Sequence, residues 1–392
     1  MKSVITTEKV PIKLWLDDIE DEALQQAKNL SNLPFTNKWV SLMPDSHLGV
    51  GVPIGSVFVT KDVIVPNAIG VDIGCGMCAV KTNLTSIDIS KLKEIMGEIR
   101  KRIPVGFNHR KENKATLLLA EEIISEYETI YAFSTSSLEK DIASQVGTLG
   151  GGNHFLELQR GNDGFVWIML HSGSRNIGKR VADYHNKIAT EVNDKWYSNA
   201  PKEYKLPFLP LSSEEGTQYF NDMKFCCEFA FQNRKFMMDE IKDIFVSLID
   251  DVHFDETINI HHNYASWENH YGENVIVHRK GATSAREGQL GIIPGSQGTK
   301  SYIVRGKGNP ESFDSCSHGA GRKMGRKMAQ RTLDLETEQK FLNDQGIIHS
   351  IRNVSDLDEA SGSYKDIGVV MNNQKDLVDV VVELSPLAVI KG

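Results

Sequence analysis

Residues 39 to 85 contain the stretch GVGVPIGSVFVTKDVIVPNAIGVDIGCGMCAV, in which short apolar runs are broken every few residues by glycine. Runs this short, closed by turn residues, read as buried strands joined by tight turns. Helical patterns follow only later, at about 90 to 102, 114 to 129 and a short stretch before Gly147. VWIML, 166 to 170, then predicts a buried strand ending at His171, and a helix is expected over 178 to 196. Residues 213 to 250 carry the longest helical pattern, with Met, Phe and Cys three and four apart. Strand and turn chemistry returns over 256 to 306. A helix is expected to start near Gly319, another to cover 334 to 344, and the tail to end extended. Strands and helices do not alternate regularly enough for a Rossmann or barrel layout. The expectation is one large α+β domain over residues 1–392, with mixed and antiparallel sheets and peripheral helices.

Composition narrows the class. The chain has 40% hydrophobic and 24% charged residues, ordinary for a globular protein. No eighteen-residue apolar run predicts a membrane span, and the N-terminus has no signal-peptide core. A cytoplasmic location is the expectation. The formal net charge of −8 argues against a general nucleic-acid coat protein, yet leaves room for a local basic patch. The five cysteines, Cys75, Cys78, Cys226, Cys227 and Cys316, are too few and too odd for a disulfide framework. Cys226 and Cys227 read as packing residues inside the long helix.

Asp72 and Cys75 lie three apart in VDIGCGMC, between glycines that allow a sharp backbone path. A carboxylate and a thiolate at that spacing can face one metal. Cys75-x-x-Cys78 also reads as a redox pair or as plain structural cysteines. His154 follows three glycines and an asparagine, His171 ends an apolar strand, and His261–His262 open HHNYASWENH. Each sits where a strand meets a turn, a rigid support for a functional side chain. Taken with Asp72 and Cys75, they make a mixed O, N and S metal cluster the better reading, suited to Mn, Fe, Co or Zn.

GGGN at 150 to 153 offers backbone amides to an anion, or is a plain turn. PGSQGTKS at 294 to 301 lacks the Walker A spacing, although its serines could bond a base or sugar. His318 precedes Gly319, Ala320 and Gly321, then a basic run. A helix starting there would favour a bound anion and a neutral His318, competent as a nucleophile. Arg322 and Arg326, one turn apart, would then hold phosphate oxygens. The plainer alternative is a capped helix with a solvated basic face.

At these residues the sequence resembles the RtcB family of RNA ligases. The resemblance runs from MPDSHLGVG at 43 to the terminal VIKG, through GVDIGCG, GTLGGGNHFLE, HSGSRNIG, HHNYA, RKGAT, PGSQGTKSY, SHGAGR, EASGSYKD and IKG in order. It implies a ligase that joins RNA with a 2′,3′-cyclic phosphate or 3′-phosphate end to RNA with a 5′-hydroxyl, using GTP and two Mn(2+) ions. The setting would be RNA repair or tRNA splicing, and an archease-type activating partner is one further implied contact. His318 resembles the histidine that forms a covalent guanylate. Asp72, Cys75, His154, His171 and His262 match the metal ligands, with Cys75 bridging. Asn153, Asn263 and the amides of Gly319, Ala320 and Gly321 resemble phosphate and nucleotide contacts. Glu157, Ser296, Ser301 and Lys391 resemble the guanine pocket, and Pro294, Gly295 and Gln297 are further cofactor-binding candidates. Arg175, Arg305, Lys307, Arg322, Lys323 and Arg326 are candidates for RNA backbone contacts. Gly74, Asn176 and Gly362 depart from the family's usual Asn, Gly and Pro. The rival readings are a metal-dependent phosphodiesterase without guanylylation and a catalytically silent RNA- or nucleotide-binding homologue.

Overall fold

A computed structural model describes residues 1–127, 129–133 and 135–392, with the side chains of 135–137 left aside. Two large sheets organise the chain. The first has six strands, and its only parallel pairing joins Ile12–Leu14 to Asn37–His47. The second has seven, in the order Ile258–His261, Gly76–Lys81, Val166–Ser172, Phe155–Gly161, Val378–Lys391, Ser301–Gly306 and Leu290–Ile293. Every pairing in that second sheet is antiparallel. The fold is α+β, as the irregular order of strands and helices implies.

Val166–Ser172 is buried along its whole length, which is why its sequence is continuously apolar rather than alternating. Helix Ile89–Arg102 starts on the Asp88 side chain, which accepts from the Lys91 amide, and buries Leu92, Ile95, Met96 and Ile99 along one stripe. Each of those side chains contributes roughly 1.5–3 kcal/mol of hydrophobic stabilisation. The stripe packs with Met237, Ile241 and Phe245 of the long helix Glu214–Leu248 against Val80, Ile168 and Leu170 of the second sheet. The long helix also packs against helix Arg175–Lys195 and buries Arg234 completely. That guanidinium donates to the carbonyls of Gly74 and Ser172 at 2.9 and 3.0 Å, tying the helix to the sheet edge that carries the site.

The helix expected over 114–129 closes at Ser125, and residue 128 lies outside the described residues. The helix expected at 178 begins earlier, at Arg175. The helix expected at Gly319 does not form there. Residues 319–325 are a loop, and the helix runs only from Arg326 to Thr332. Gly321 explains the difference: its φ is +73°, outside helical backbone, and its Cα packs against the Asp45 carbonyl, 2.2 Å from where a Cβ would lie. His318 therefore lacks the helix terminus invoked to keep it neutral, and Arg322 and Arg326 do not share a helix. No described helix is long and apolar enough to cross a membrane.

Candidate metal centre and nucleotide cavity

Strand register gathers the candidate ligands at one edge of the second sheet. Gly76 is the Cα partner of both Ser172 and His261, so Cys75, His171 and His262 each lie one residue from that shared row. Phe155 pairs with His171, which brings His154 alongside. Gly74 turns the Asp72–Cys75 segment into position with a φ of +74°. The backbone of Cys227 lies 2.8 Å from where a Gly74 Cβ would be, so this backbone path calls for glycine.

Two groups of potential ligand atoms result: Asp72, Cys75 and His154, and Cys75, His171 and His262. Cys75 Sγ lies 3.5 Å from His154 Nε2 and 3.2 Å from His171 Nε2. His171 Nε2 lies 3.3 Å from His262 Nε2, and His154 Nε2 lies 3.0 Å from Asp72 Oδ2. The outer nitrogens explain the orientation. His154 Nδ1 donates to the Leu149 carbonyl at 2.9 Å, and His171 Nδ1 to the Asn153 carbonyl at 3.1 Å. A carbonyl only accepts, so those tautomers leave the Nε2 lone pairs facing inward. Burial, then the neighbouring imidazoles, hold His171 and His262 well below their ordinary pKa, so both are neutral. Burial opposes ionisation of Asp72, and a positive charge at His154 Nε2, a proton there or a metal ion in its place, holds the carboxyl down at about 2. Burial pushes the Cys75 thiol well up, so a thiolate there needs a cation beside it. Neutral inward imidazoles, one carboxylate and a shared sulfur fit a pair of divalent transition-metal ions.

The cluster meets, through His171, a cavity of about 410 Å³, within the range of small-molecule sites. His318 lines it, and its ring centroid lies 4.9 Å from that of His262. His318 Nδ1 lies 2.6 Å from Asp45 Oδ2, which also accepts the amides of His318 at 3.1 Å and Gly319 at 3.3 Å. Burial raises the Asp45 pKa, but the charge and hydrogen bond of His318 bring it below the ordinary value. The ionised Asp45 can only accept, so His318 donates from Nδ1, and in the neutral ring the lone pair is then on Nε2. In place of the expected helix terminus, a carboxylate 273 residues away in sequence orients the His318 ring.

Asn153, Glu157, Pro294, Gly295, Ser296, Gln297, Ser301, Gly319, Ala320, Gly321 and Lys391 all line the same cavity. Glu157 is buried beside Gln159, whose side-chain N–H donates to it at 2.6 Å. Burial pushes its carboxyl up to about 8, although Lys391 and Gln159 pull the other way. Asn263 is not among the lining residues. Its amide donates to the Asp72 carbonyl at 3.1 Å and accepts from the Gly281 amide at 2.8 Å, bracing the ligand loop. Arg322 and Arg326 line the cavity, whereas Arg305 and Lys307 turn to Gly288 and to Lys375 and Asp379. Arg175 braces the glycine turn through Thr148 and Gly106, and Lys323 is exposed.

Sequence reasoning missed Asp45, His47, Phe155 and Glu359, all at the cavity or directly behind it. Glu359 is the hub of the basic wall. It accepts from Arg322 at 3.2 Å, Arg326 at 3.0 Å, Lys391 at 3.5 Å and the Tyr364 hydroxyl. Burial opposes its ionisation, but Lys391 and Arg326 lead in holding it at about 2. MPDSHLG did flag Asp45 and His47 as a block, without a partner to assign them to.

Fold and site together define a class: an α+β protein with a buried S, N, O cluster walling a nucleotide-sized cavity that also holds a carboxylate-bound histidine. The sequence model of the family described as tRNA-splicing ligase RtcB matches residues 26–392, and the chain belongs to that family. It is 39% identical to the RNA-splicing ligase RtcB of Escherichia coli K12 over 415 residues, covering 99% of each chain. It is 31% identical to the tRNA-splicing ligase RtcB of Thermococcus kodakarensis over 461 residues, covering 98% of this chain and 95% of that one. The same protein of Methanococcus maripaludis is 31% identical over 466 residues, with the same coverage.

Proposed function

We propose that the protein is an RNA ligase that joins a 2′,3′-cyclic phosphate or 3′-phosphate end to a 5′-hydroxyl end, with GTP as co-substrate and manganese as its metal. The observation that carries this is the free Nε2 of His318, fixed by Asp45 and set between the cysteine-linked cluster and the Glu157 pocket. Asp72, Cys75 and His154 would hold one ion and Cys75, His171 and His262 the other, supplying positive charge that neutralises phosphate oxygens.

The chain's own residues supply the rest. Glu157 as a carboxylate accepts from guanine N1–H and the exocyclic amine, donors that adenine does not present together, which favours GTP over ATP. Lys391 beside it offsets the carboxylate charge and caps the pocket over Phe155. His318 Nε2 forms a bond to the α-phosphorus as the bond to pyrophosphate breaks. Its Nδ1–H stays on Asp45, which stabilises the positive charge that develops on the ring. An RNA 3′-phosphate oxygen then takes GMP from His318, returning a neutral imidazole. The 5′-hydroxyl attacks that activated end and GMP leaves. Arg322 and Arg326, which line the cavity, would meet RNA phosphates, and such contacts weaken with salt. An archease-type activator is the protein partner this reading includes.

The test uses α-labelled GTP with manganese. The reading expects a labelled protein band that survives denaturation, disappears in His318→Ala, and transfers its label to 3′-phosphate RNA. An enzyme that hydrolyses phosphodiesters with no labelled intermediate would overturn it.

A further inference from the structure

His47 ends the strand Asn37–His47, and its ring lines the cavity. Its Nδ1 lies 2.9 Å from the backbone carbonyl of Asp45. That oxygen only accepts, so the ring proton is on Nδ1 and the lone pair is on Nε2. Among the described residues the ring makes its one hydrogen bond through Nδ1. Asp45 thus holds two imidazoles in the same tautomer, His318 by its carboxylate and His47 by its carbonyl.

The sealing step needs a proton acceptor that guanylylation does not. When the 5′-hydroxyl oxygen bonds to the RNA 3′-phosphorus, its proton must leave. Apart from His318 Nε2, which is free again once GMP has moved to the RNA, and Asp45 Oδ1, which is buried and unbonded among the described residues, the other acceptors in the cavity are committed. His171 belongs to the cluster, Asp45 Oδ2 is bound by His318 and Gly319, and Glu359 carries two arginines, a lysine and a tyrosine. Glu157 is bound by Gln159 in the base pocket. Glu20 sits exposed on the rim, where it accepts the Leu48 amide at 2.8 Å.

We propose, resting on the ligase reading above, that His47 is the general base of RNA sealing. Its Nε2 takes the proton of the 5′-hydroxyl as the new P–O bond forms. The bond between the 3′-phosphorus and the GMP phosphate oxygen breaks, and the electron pair leaves on GMP. Burial holds the His47 pKa down at about 4, with the Asp45 hydrogen bond opposing and the charge of His318 adding to it. The ring is therefore neutral and able to accept at ordinary pH. Bound phosphates raise its affinity for a proton, which makes it a stronger base when RNA is present. The charged and titratable groups facing it are Asp45, His318 and Lys365, with Glu20 at the rim.

The experiment separates the two halves of the reaction. His47→Asn keeps an N–H for the Asp45 carbonyl and deletes the second ring nitrogen. Its label uptake from α-labelled GTP is compared with its single-turnover sealing of a pre-made RNA-pp-G end to a 5′-hydroxyl strand. The expected result is guanylylation that persists, sealing slowed on the order of 10²-fold, and loss of the acid limb of the sealing pH profile. Imidazole added to His47→Ala should restore part of the sealing rate. Sealing at the wild-type rate, or equal loss of both steps, overturns the proposal. So does a matching loss in Glu20→Gln with His47→Asn unaffected. A wild-type protein that takes no label and seals nothing fails the ligase reading itself, and this assignment goes with it.

Discussion

The two walls of the cavity are held in place by different physics. On the cluster wall, His154 and His171 are buried and hydrogen-bonded to main-chain carbonyls, at the ends of paired strands. On the other wall, Arg322 and Tyr364 from loops, Arg326 from a helix start and Lys391 from a strand end converge on one carboxylate, Glu359. The first wall is set by backbone geometry, and a side-chain change there removes a ligand without moving its neighbours. The second is a balance of charges, and removing Glu359 leaves cations to repel one another. Ligand substitutions should therefore damage chemistry at nearly constant stability, and hub substitutions should damage stability and RNA affinity together.

His318→Ala gives the largest effect, because no other group can replace the attacking nitrogen. Transfer of label from GTP should fall by more than about 10³-fold with thermal stability near wild type. Cys75→Ala comes next, since it takes a ligand from both groups at once. Manganese bound per chain, measured by elemental analysis after desalting, should fall toward zero. Asp72→Ala or His262→Ala should lose only the ion of one group, and equal losses from all three variants would remove the bridging role of the sulfur.

Glu359→Gln probes the other wall. Glu359 is nine-tenths buried or more and its carboxyl sits near 2, below the unfolded value of about 4.3. Stability from a depressed carboxyl is present above the unfolded pKa and is lost as pH falls through the folded one. At neutral pH the substitution should cost on the order of 3 kcal/mol in urea unfolding. The deficit should shrink below pH 4 as the wild-type carboxyl protonates. A variant as stable as wild type would show that the basic loops stand without their hub.

The smallest effect concerns Glu157. Its carboxyl is raised to about 8 by burial, so below that pH GTP binding must displace a proton for guanine to meet a carboxylate. GTP affinity should rise with pH, by up to about tenfold per unit, and level off near 8. Glu157→Gln should flatten that slope and narrow the preference for GTP over ATP. Titration calorimetry in buffers of different ionisation heat would show one proton released per GTP in the wild type and none in the variant.

What could be read from the sequence follows the same division. The strand at 166 to 170 and the long helix were legible because burial writes apolar periodicity directly. The ligand residues were legible as types, at strand ends beside glycines. Their meeting point was not, because it depends on Gly76 pairing with both Ser172 and His261, a register no local pattern encodes. The basic run after His318 misled for a local reason: its residues suit a helix, but Gly321 bends the chain against Asp45 first. Asp45 stood in a visible block, MPDSHLG, but its role did not show, since its partner is far away in sequence. Asn263 looked like a ligand contact by position, and the structure uses both ends of its amide to brace the Asp72 loop.

The most direct measurement is peptide mapping by mass spectrometry after incubation with GTP and manganese. The account predicts a single acid-labile GMP adduct, on Nε2 of His318, lost on adding 3′-phosphate RNA and absent from Cys75→Ala. An adduct on a lysine, or RNA joining with no adduct at all, would contradict it.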